Sequence, residues 1–158
     1  MGTLVENITV LLAETWRSPG EPRRGNTFRC HCGRPVFFRN SMCLACGAPL
    51  GYEPGLGRIH ALLAGPRPGS WRLAGAPDDA SLFRRCANFD SPAGCNWLLP
   101  AAHPSSHCVA CRLNRTIPDL TDPDNARYWR AIENAKRRLI AQLLAVGLPV
   151  ASKVEEDP

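Results

Sequence analysis

Long apolar runs are missing from this 158-residue chain. Few exceed five residues, and none approaches the ~20 that a helix needs to cross a bilayer. Residues 1–26 lack a basic leading stretch, a long apolar core and a small-residue cleavage site. No secretory signal is read there, and a reducing, cytoplasmic setting is expected. Thirteen glycines and fifteen prolines interrupt what apolar sequence there is. Small, turn-rich segments bury too little surface to fold alone, so a staple other than an oily interior is expected.

What the chain does have is cysteine, eight in all and none left over. Cys30, Cys32, Cys43 and Cys46 form one set, with ten residues between Cys32 and Cys43. Cys86, Cys95, Cys108 and Cys111 form another, with eight and then twelve residues in the gaps. Two thiolates one to three residues apart reach one metal from a single tight turn, and a second such turn completes a tetrahedron. Gly33 and Gly47 follow the turns of the first set, where a left-handed backbone is needed. The expected cofactors are two structural Zn²⁺ ions, one per set. Iron is the alternative metal for a thiolate-only site. A disulfide framework is the alternative chemistry, and the expected reducing compartment argues against it.

A formal net charge of +5 suggests nucleic acid. It counts cysteine as neutral, however. Each zinc with four thiolates carries 2 − 4 = −2, so two sites bring the chain from +5 to about +1. Arg29, Arg34, Arg85 and Arg112 stand beside cysteines and are as well placed to support the sites as to bind a partner.

Taken in order, residues 1–26 read as an extension and linker. Leu4, Ile8, Leu11, Leu12 and Trp16 lie at helical spacing, ahead of a Pro- and Gly-containing stretch. Residues 27–75 read as the first ribbon and the strands after it. Strands are expected at Pro35–Phe38, Leu50–Tyr52, Ile59–Leu62 and Trp71–Leu73, with a turn at Asn40-Ser41. Residues 76–121 read as the second ribbon, with Phe83–Arg85 leading in and Cys95–Pro100 a knuckle running into a strand. His31 and His60 are read as non-ligands. His103 and His107 are four apart, but Pro104 breaks the helix that would pair them; either remains a substitute ligand should Cys86 prove too remote.

Residues 122–147 predict one long amphipathic helix, capped by Thr121 or Asp122, started by Pro123 and ended by Gly147. Ala126, Trp129, Ile132, Leu139, Leu143 and Val146, widened by Ile140 and Leu144, form the stripe expected to pack on the second ribbon. Arg127, Arg130, Asn134, Arg137, Arg138 and Gln142 are placed opposite, facing water. Residues 148–158 read as a polar tail. The fold class is small α+β and metal-stapled: two tandem four-cysteine zinc ribbons of short hairpins, then the helix.

These residues also resemble a family. The runs Cys30 to Gly47, Cys86-Ala87-Asn88 with Cys95-Asn96-Trp97, and above all Cys108 to Leu120 look like the amino-terminal zinc-ribbon part of the bacterial zinc-binding metallopeptidases. The resemblance implies a larger region carrying His-Glu-x-x-His, whose histidines bind catalytic zinc and whose glutamate is the general base. None of the four histidines here is followed by glutamate. The chain is therefore expected to be a zinc-binding module without catalytic residues, serving a protein partner or a catalytic region supplied elsewhere. The alternatives are a nucleic-acid-binding ribbon and a regulatory part of a metal-dependent hydrolase. No membrane association is expected.

Overall fold

Two extended triplets open the fold. β1 (Thr27–Arg29) and β2 (Pro35–Phe37) pair antiparallel, with Phe28 opposite Val36. In this computed structural model the described residues are 27–77 and 79–152. The expected helical spacing in residues 4–16 and the linker after it lie outside them, as does the end of the tail. After β2 the Asn40 side chain accepts a hydrogen bond from the Phe37 N–H at 2.6 Å, and the chain turns toward Cys43.

Five strands then form an antiparallel meander: β3 (Leu50–Glu53), β4 (Arg58–Ala64), β5 (Ser70–Leu73), β6 (Phe83–Arg85) and β7 (Leu98–Pro100). Four of the five were expected as strands, whereas Phe83–Arg85 was read only as the lead into the second ribbon. Their closure was not expected. The sheet curls until its two outer strands meet: Tyr52 bridges Trp97 in parallel, and the Tyr52 N–H donates to the Asn96 carbonyl at 2.8 Å. Gly51 permits this, since a Cβ there would stand 2.6 Å from Leu98 Cδ2.

Side chains alternate across the curled sheet, as strand geometry requires. Leu62, Leu73 and Leu98 form a small cluster, joined by Trp71, Ala76 and Phe83. The main cluster includes Leu50, Tyr52, Ile59, Ala61, Trp97 and Leu99 and runs without a break into six buried cysteines. Phe38, Tyr52 and Trp97 meet edge-on or tilted, with Tyr52 centroids 4.8 Å from each of the other two rings. Metal was expected to stand in for an absent interior; the structure corrects this. An apolar core is present, and the cysteine clusters are continuous with it.

The chain ends in helices. A single turn, α1 (Val109–Arg112), contains Cys111, and α2 spans Pro123–Ala145. Asp122 caps α2, its carboxylate accepting from the N–H groups of Asp124 and Asn125, and Pro123 occupies the first turn as expected. α2 packs on the second ribbon, also as expected, but rotated from the expected face. Its buried residues are Glu133, Arg137 and Ile140, while Ile132, Leu139 and Val146 are exposed. The apolar stripe spans far more than the face that meets the ribbon, and the polar residues beside it have partners there.

Candidate metal centres

The structure brings each set of four sulfurs together. Within each, all Sγ atoms lie within 4.8 Å of one another. Cys30 Sγ is 3.7 Å from Cys46 Sγ, Cys32 Sγ is 3.8 Å from Cys43 Sγ, and Cys95 Sγ is 3.7 Å from Cys108 Sγ. A tetrahedron of ~2.3 Å zinc–sulfur bonds has sulfur–sulfur edges of ~3.8 Å. All eight cysteines are free, so the disulfide reading does not hold. Each donor set fits one structural Zn²⁺, which when bound supplies a cross-link between two turns.

Local backbone builds the first centre. The Cys30 N–H donates to the Arg34 carbonyl at 2.9 Å, the Gly33 N–H donates back to Cys30 at 2.9 Å, and Gly33 sits at φ 84°. The second turn repeats this: Cys43 N–H to Ala48 O at 2.8 Å, Gly47 N–H to Cys43 O at 2.8 Å, and Gly47 at φ 71°. The N–H groups of Cys46 and Ala45 point at the Cys43 sulfur and hold its pKa down to about 6. Cys30 and Cys43 are buried, whereas Cys32 and Cys46 are exposed. His31 Nδ1 stands 3.6 Å from Cys30 Sγ on an exposed ring, beside a set already complete.

The second centre is closed on all sides, its four cysteines all buried. Cys86 is not too remote. The eight residues that follow it fold back through a 3-10 turn (Ala87–Phe89), and the Cys95 N–H donates to the Asn88 carbonyl at 3.0 Å. The closing half differs from the first centre: Cys108 leads directly into α1, whose turn carries Cys111, and the Cys108 N–H donates to Cys86 Sγ at 3.4 Å. His103 and His107 are not needed as substitutes. Their Nδ1 atoms serve local turns, His103 with the Ser105 N–H at 3.1 Å and His107 with the Ser106 hydroxyl at 3.1 Å. His60 joins neither cysteine set; burial, then the charge of Arg58, lowers its pKa.

Arginines frame this centre unequally. Arg84 donates to the carbonyls of His103, at 2.6 Å, and Ser105, at 2.5 Å, pinning the loop that delivers Cys108. The Arg85 guanidinium stacks 3.8 Å from the Phe89 ring centre and 5.0 Å from that of Trp71. Arg29 donates to the Gly33 carbonyl at 3.1 Å beside the first centre.

Sequence reasoning missed the residues that line the second centre from α2. The Glu133 carboxylate lies 4.0 Å from Cys111 Sγ and is 1% exposed. Lys136 Nζ approaches it at 2.5 Å and Arg137 Nη1 at 3.9 Å. Lys136 also bonds the Asn114 side chain. Arg137, also 1% exposed, donates to the Ala93 carbonyl at 2.9 Å and to Asn134 Oδ1 at 2.6 Å. Arg137 was expected in water and is instead interior. A zinc tetrathiolate at −2 with Glu133 totals −3; Lys136 and Arg137 bring it to −1, which is what makes a buried carboxylate tolerable there. The available signal was Glu133 followed at three and four residues by Lys136 and Arg137, an ion-pair spacing on one helix face.

A side-chain amide in the segment before β7 joins the two centres. Asn96, buried and next to Cys95, donates from Nδ2 to the Phe38 carbonyl at 2.8 Å and the Asn40 carbonyl at 3.0 Å. Among the described residues no helix is long and apolar enough to cross a membrane.

The comparisons with known proteins agree with this geometry. A zinc-ribbon domain family matches residues 27–122. Uncharacterized proteins of Mycobacterium bovis and of two strains of Mycobacterium tuberculosis are each 36% identical over 132 residues, covering 83% of this chain and 34% of theirs. The chain thus spans about a third of the length of these curated relatives. No solved structure matches it. With two four-sulfur clusters in place and the family match lying across both, the chain belongs to the zinc-ribbon domain family.

Proposed function

We propose that this chain is a structural zinc-binding module that presents a surface to a protein partner and carries out no catalysis of its own. The observation that carries the reading is the closure of the second centre. Four buried sulfurs fill the coordination shell of a tetrahedral ion, leaving no position for water or substrate. The first centre has two exposed sulfurs but is equally full. Zinc sites that do chemistry keep one position open.

The partner we infer is the catalytic region of a metallopeptidase-like protein. The resemblance of the run from Cys108 to Leu120 to the ribbon part of that family supports this, as does the greater length of the curated relatives. The nucleic-acid reading draws less support from α2. Of its arginines, Arg137 is buried, Arg127 pairs with Asp124 at 3.1 Å, and Arg130 donates to the Pro92 carbonyl at 3.0 Å.

Metal analysis of the purified chain is the test. Two zinc ions per chain, no peptide hydrolysis, and no hydrolysis after added zinc are expected. Turnover that survives Cys43→Ser but is lost in His103→Ala would sink the proposal. Duplex or single-stranded nucleic acid bound with a steep salt dependence would instead favour the ribbon as a nucleic-acid reader.

A further inference from the structure

The two centres meet solvent very differently. Around the first, residues 31–35 in one turn and 44–47 in the other are all exposed, Cys32 and Cys46 among them. Leu44, inside the second turn, is 89% exposed, so no described residue roofs the sulfurs there. In the second centre the most accessible cysteine is Cys111, at 5%. The sulfurs of the first centre also fall into two pairs. Cys46 Sγ is 3.7 Å from Cys30 Sγ, and Cys32 Sγ is 3.8 Å from Cys43 Sγ. Each pair joins the two turns, and each sets an exposed cysteine against a buried one. A thiolate within reach of solvent, with a second sulfur beside it to resolve the product, is the arrangement that peroxides convert to a disulfide.

We propose that the first centre is a reversible oxidation site for hydroperoxides: Cys46 and Cys32 meet the oxidant, Cys30 and Cys43 resolve it, and zinc is released. The inference rests on the reading of this centre as a structural zinc site. The Cys46 thiolate attacks one peroxide oxygen; the S–O bond forms, the O–O bond breaks, and the departing hydroxide takes a proton from solvent to become water. The Cys30 thiolate then attacks the Cys46 sulfenic sulfur. An S–S bond forms, the S–O bond breaks, and the hydroxide that leaves is protonated to a second water. Two electrons have passed from two sulfurs to one hydrogen peroxide, and the charge of zinc is unchanged. Cys32 and Cys43 consume a second peroxide in the same way. Thiolates are the ligands, so the first disulfide already removes half of the coordination shell and the metal leaves. Each disulfide spans the same two turns that the metal had joined, so the ribbon stays cross-linked. A dithiol reverses the sequence: it returns two electrons to each disulfide, becomes a disulfide itself, and restores the four thiols. The second centre, with all four cysteines buried, is spared.

The experiment uses the full, zinc-loaded chain and dilute hydrogen peroxide, with zinc content, thiol mapping by mass spectrometry and near-ultraviolet circular dichroism read together. Metal analysis before oxidation separates the two readings. Fewer than two zinc ions per chain would sink the structural zinc site and this proposal with it, whereas every later failure counts against the proposal alone. Peroxide should lower zinc from two ions to one per chain. Disulfides should link Cys30 to Cys46 and Cys32 to Cys43 within single chains, and Cys86, Cys95, Cys108 and Cys111 should stay reduced. Added zinc should not rebind until a dithiol is supplied. N-ethylmaleimide on the zinc-loaded chain gives a second measurement free of substitutions, and Cys32 and Cys46 should be alkylated before Cys30 and Cys43. Equal oxidation of both centres, disulfides within one turn or between chains, zinc that rebinds without reductant, or alkylation that begins at Cys30 or Cys43 would each overturn the proposal.

Discussion

At the scale of single residues, the buried trio on α2 is the most consequential feature. Glu133 sits against the Cys111 sulfur only because Lys136 and Arg137 oppose it. Arg137→Met leaves that carboxylate next to the Cys111 sulfur without its buried cation, and should cost ~3–5 kcal/mol. Glu133→Gln together with Arg137→Met should recover much of the loss, because the uncompensated charge is gone. Urea unfolding of the zinc-loaded chain measures both, and additive losses would contradict the coupling. Cys43 makes a second residue-scale prediction. Its pKa falls from 9.0 for a free thiol to about 6 because backbone N–H groups of Cys46 and Ala45 stabilise the thiolate. A depressed pKa means the unfolded chain binds more protons between those values. The stabilisation from this group is therefore full above about 9, shrinks as pH falls, and is gone below about 6. Zinc holds its ligands as thiolates and protons compete for them, so zinc should leave the first centre as pH falls into the acid range, followed with a colorimetric zinc chelator. Release already complete at neutral pH would contradict this.

Among the elements, the meeting of β3 with β7 decides the architecture. Sheet edges are ordinarily exposed, and here the two outer strands close on each other through Tyr52 and the Asn96 carbonyl. Gly51→Ala drives a methyl into Leu98 and should destabilise the zinc-loaded chain by ~1–3 kcal/mol without changing its zinc content. Thermal unfolding with metal analysis reads both quantities. Loss of zinc in that variant would mean that closure of the sheet, and not local turn geometry, assembles the sulfurs. Most strands were legible in the sequence as short apolar runs between turn residues, whereas Thr27–Arg29 and Phe83–Arg85, each with one apolar residue, were not. Nor was closure, because nothing in a strand's own pattern states which partner its outer edge will meet. α2 divides in the same way. Its start and cap follow from Asp122 and Pro123, while its rotation follows from the Ala93 carbonyl and Cys111, which lie 44 and 22 residues away along the chain.

For the whole molecule, the two centres differ in exposure and should differ in how they are lost. Cys32 and Cys46 are open to solvent, whereas all four sulfurs of the second centre are buried in the main apolar cluster with Trp97. A strong chelator should therefore remove zinc in two steps. The first should leave the aromatic near-ultraviolet signal largely intact. The second should abolish it, since structural zinc contributes ~10–16 kcal/mol and a domain of this size has ~5–15 in all. Circular dichroism recorded alongside zinc release checks the order. Simultaneous loss, or a metal-free chain that keeps its aromatic signal, would contradict it.

The amino-acid sequence by itself determined the two four-cysteine sets, their division into turns, the positions of most strands and the ends of the long helix. Each of these is set by residues within a few positions of one another, where bond geometry leaves few choices. The tertiary structure alone decided the curl of the sheet, the shared core of Phe38, Tyr52 and Trp97, and which side of α2 faces the second centre. Those depend on segments far apart in the chain, and a polar residue turns inward only where such a segment offers it a partner.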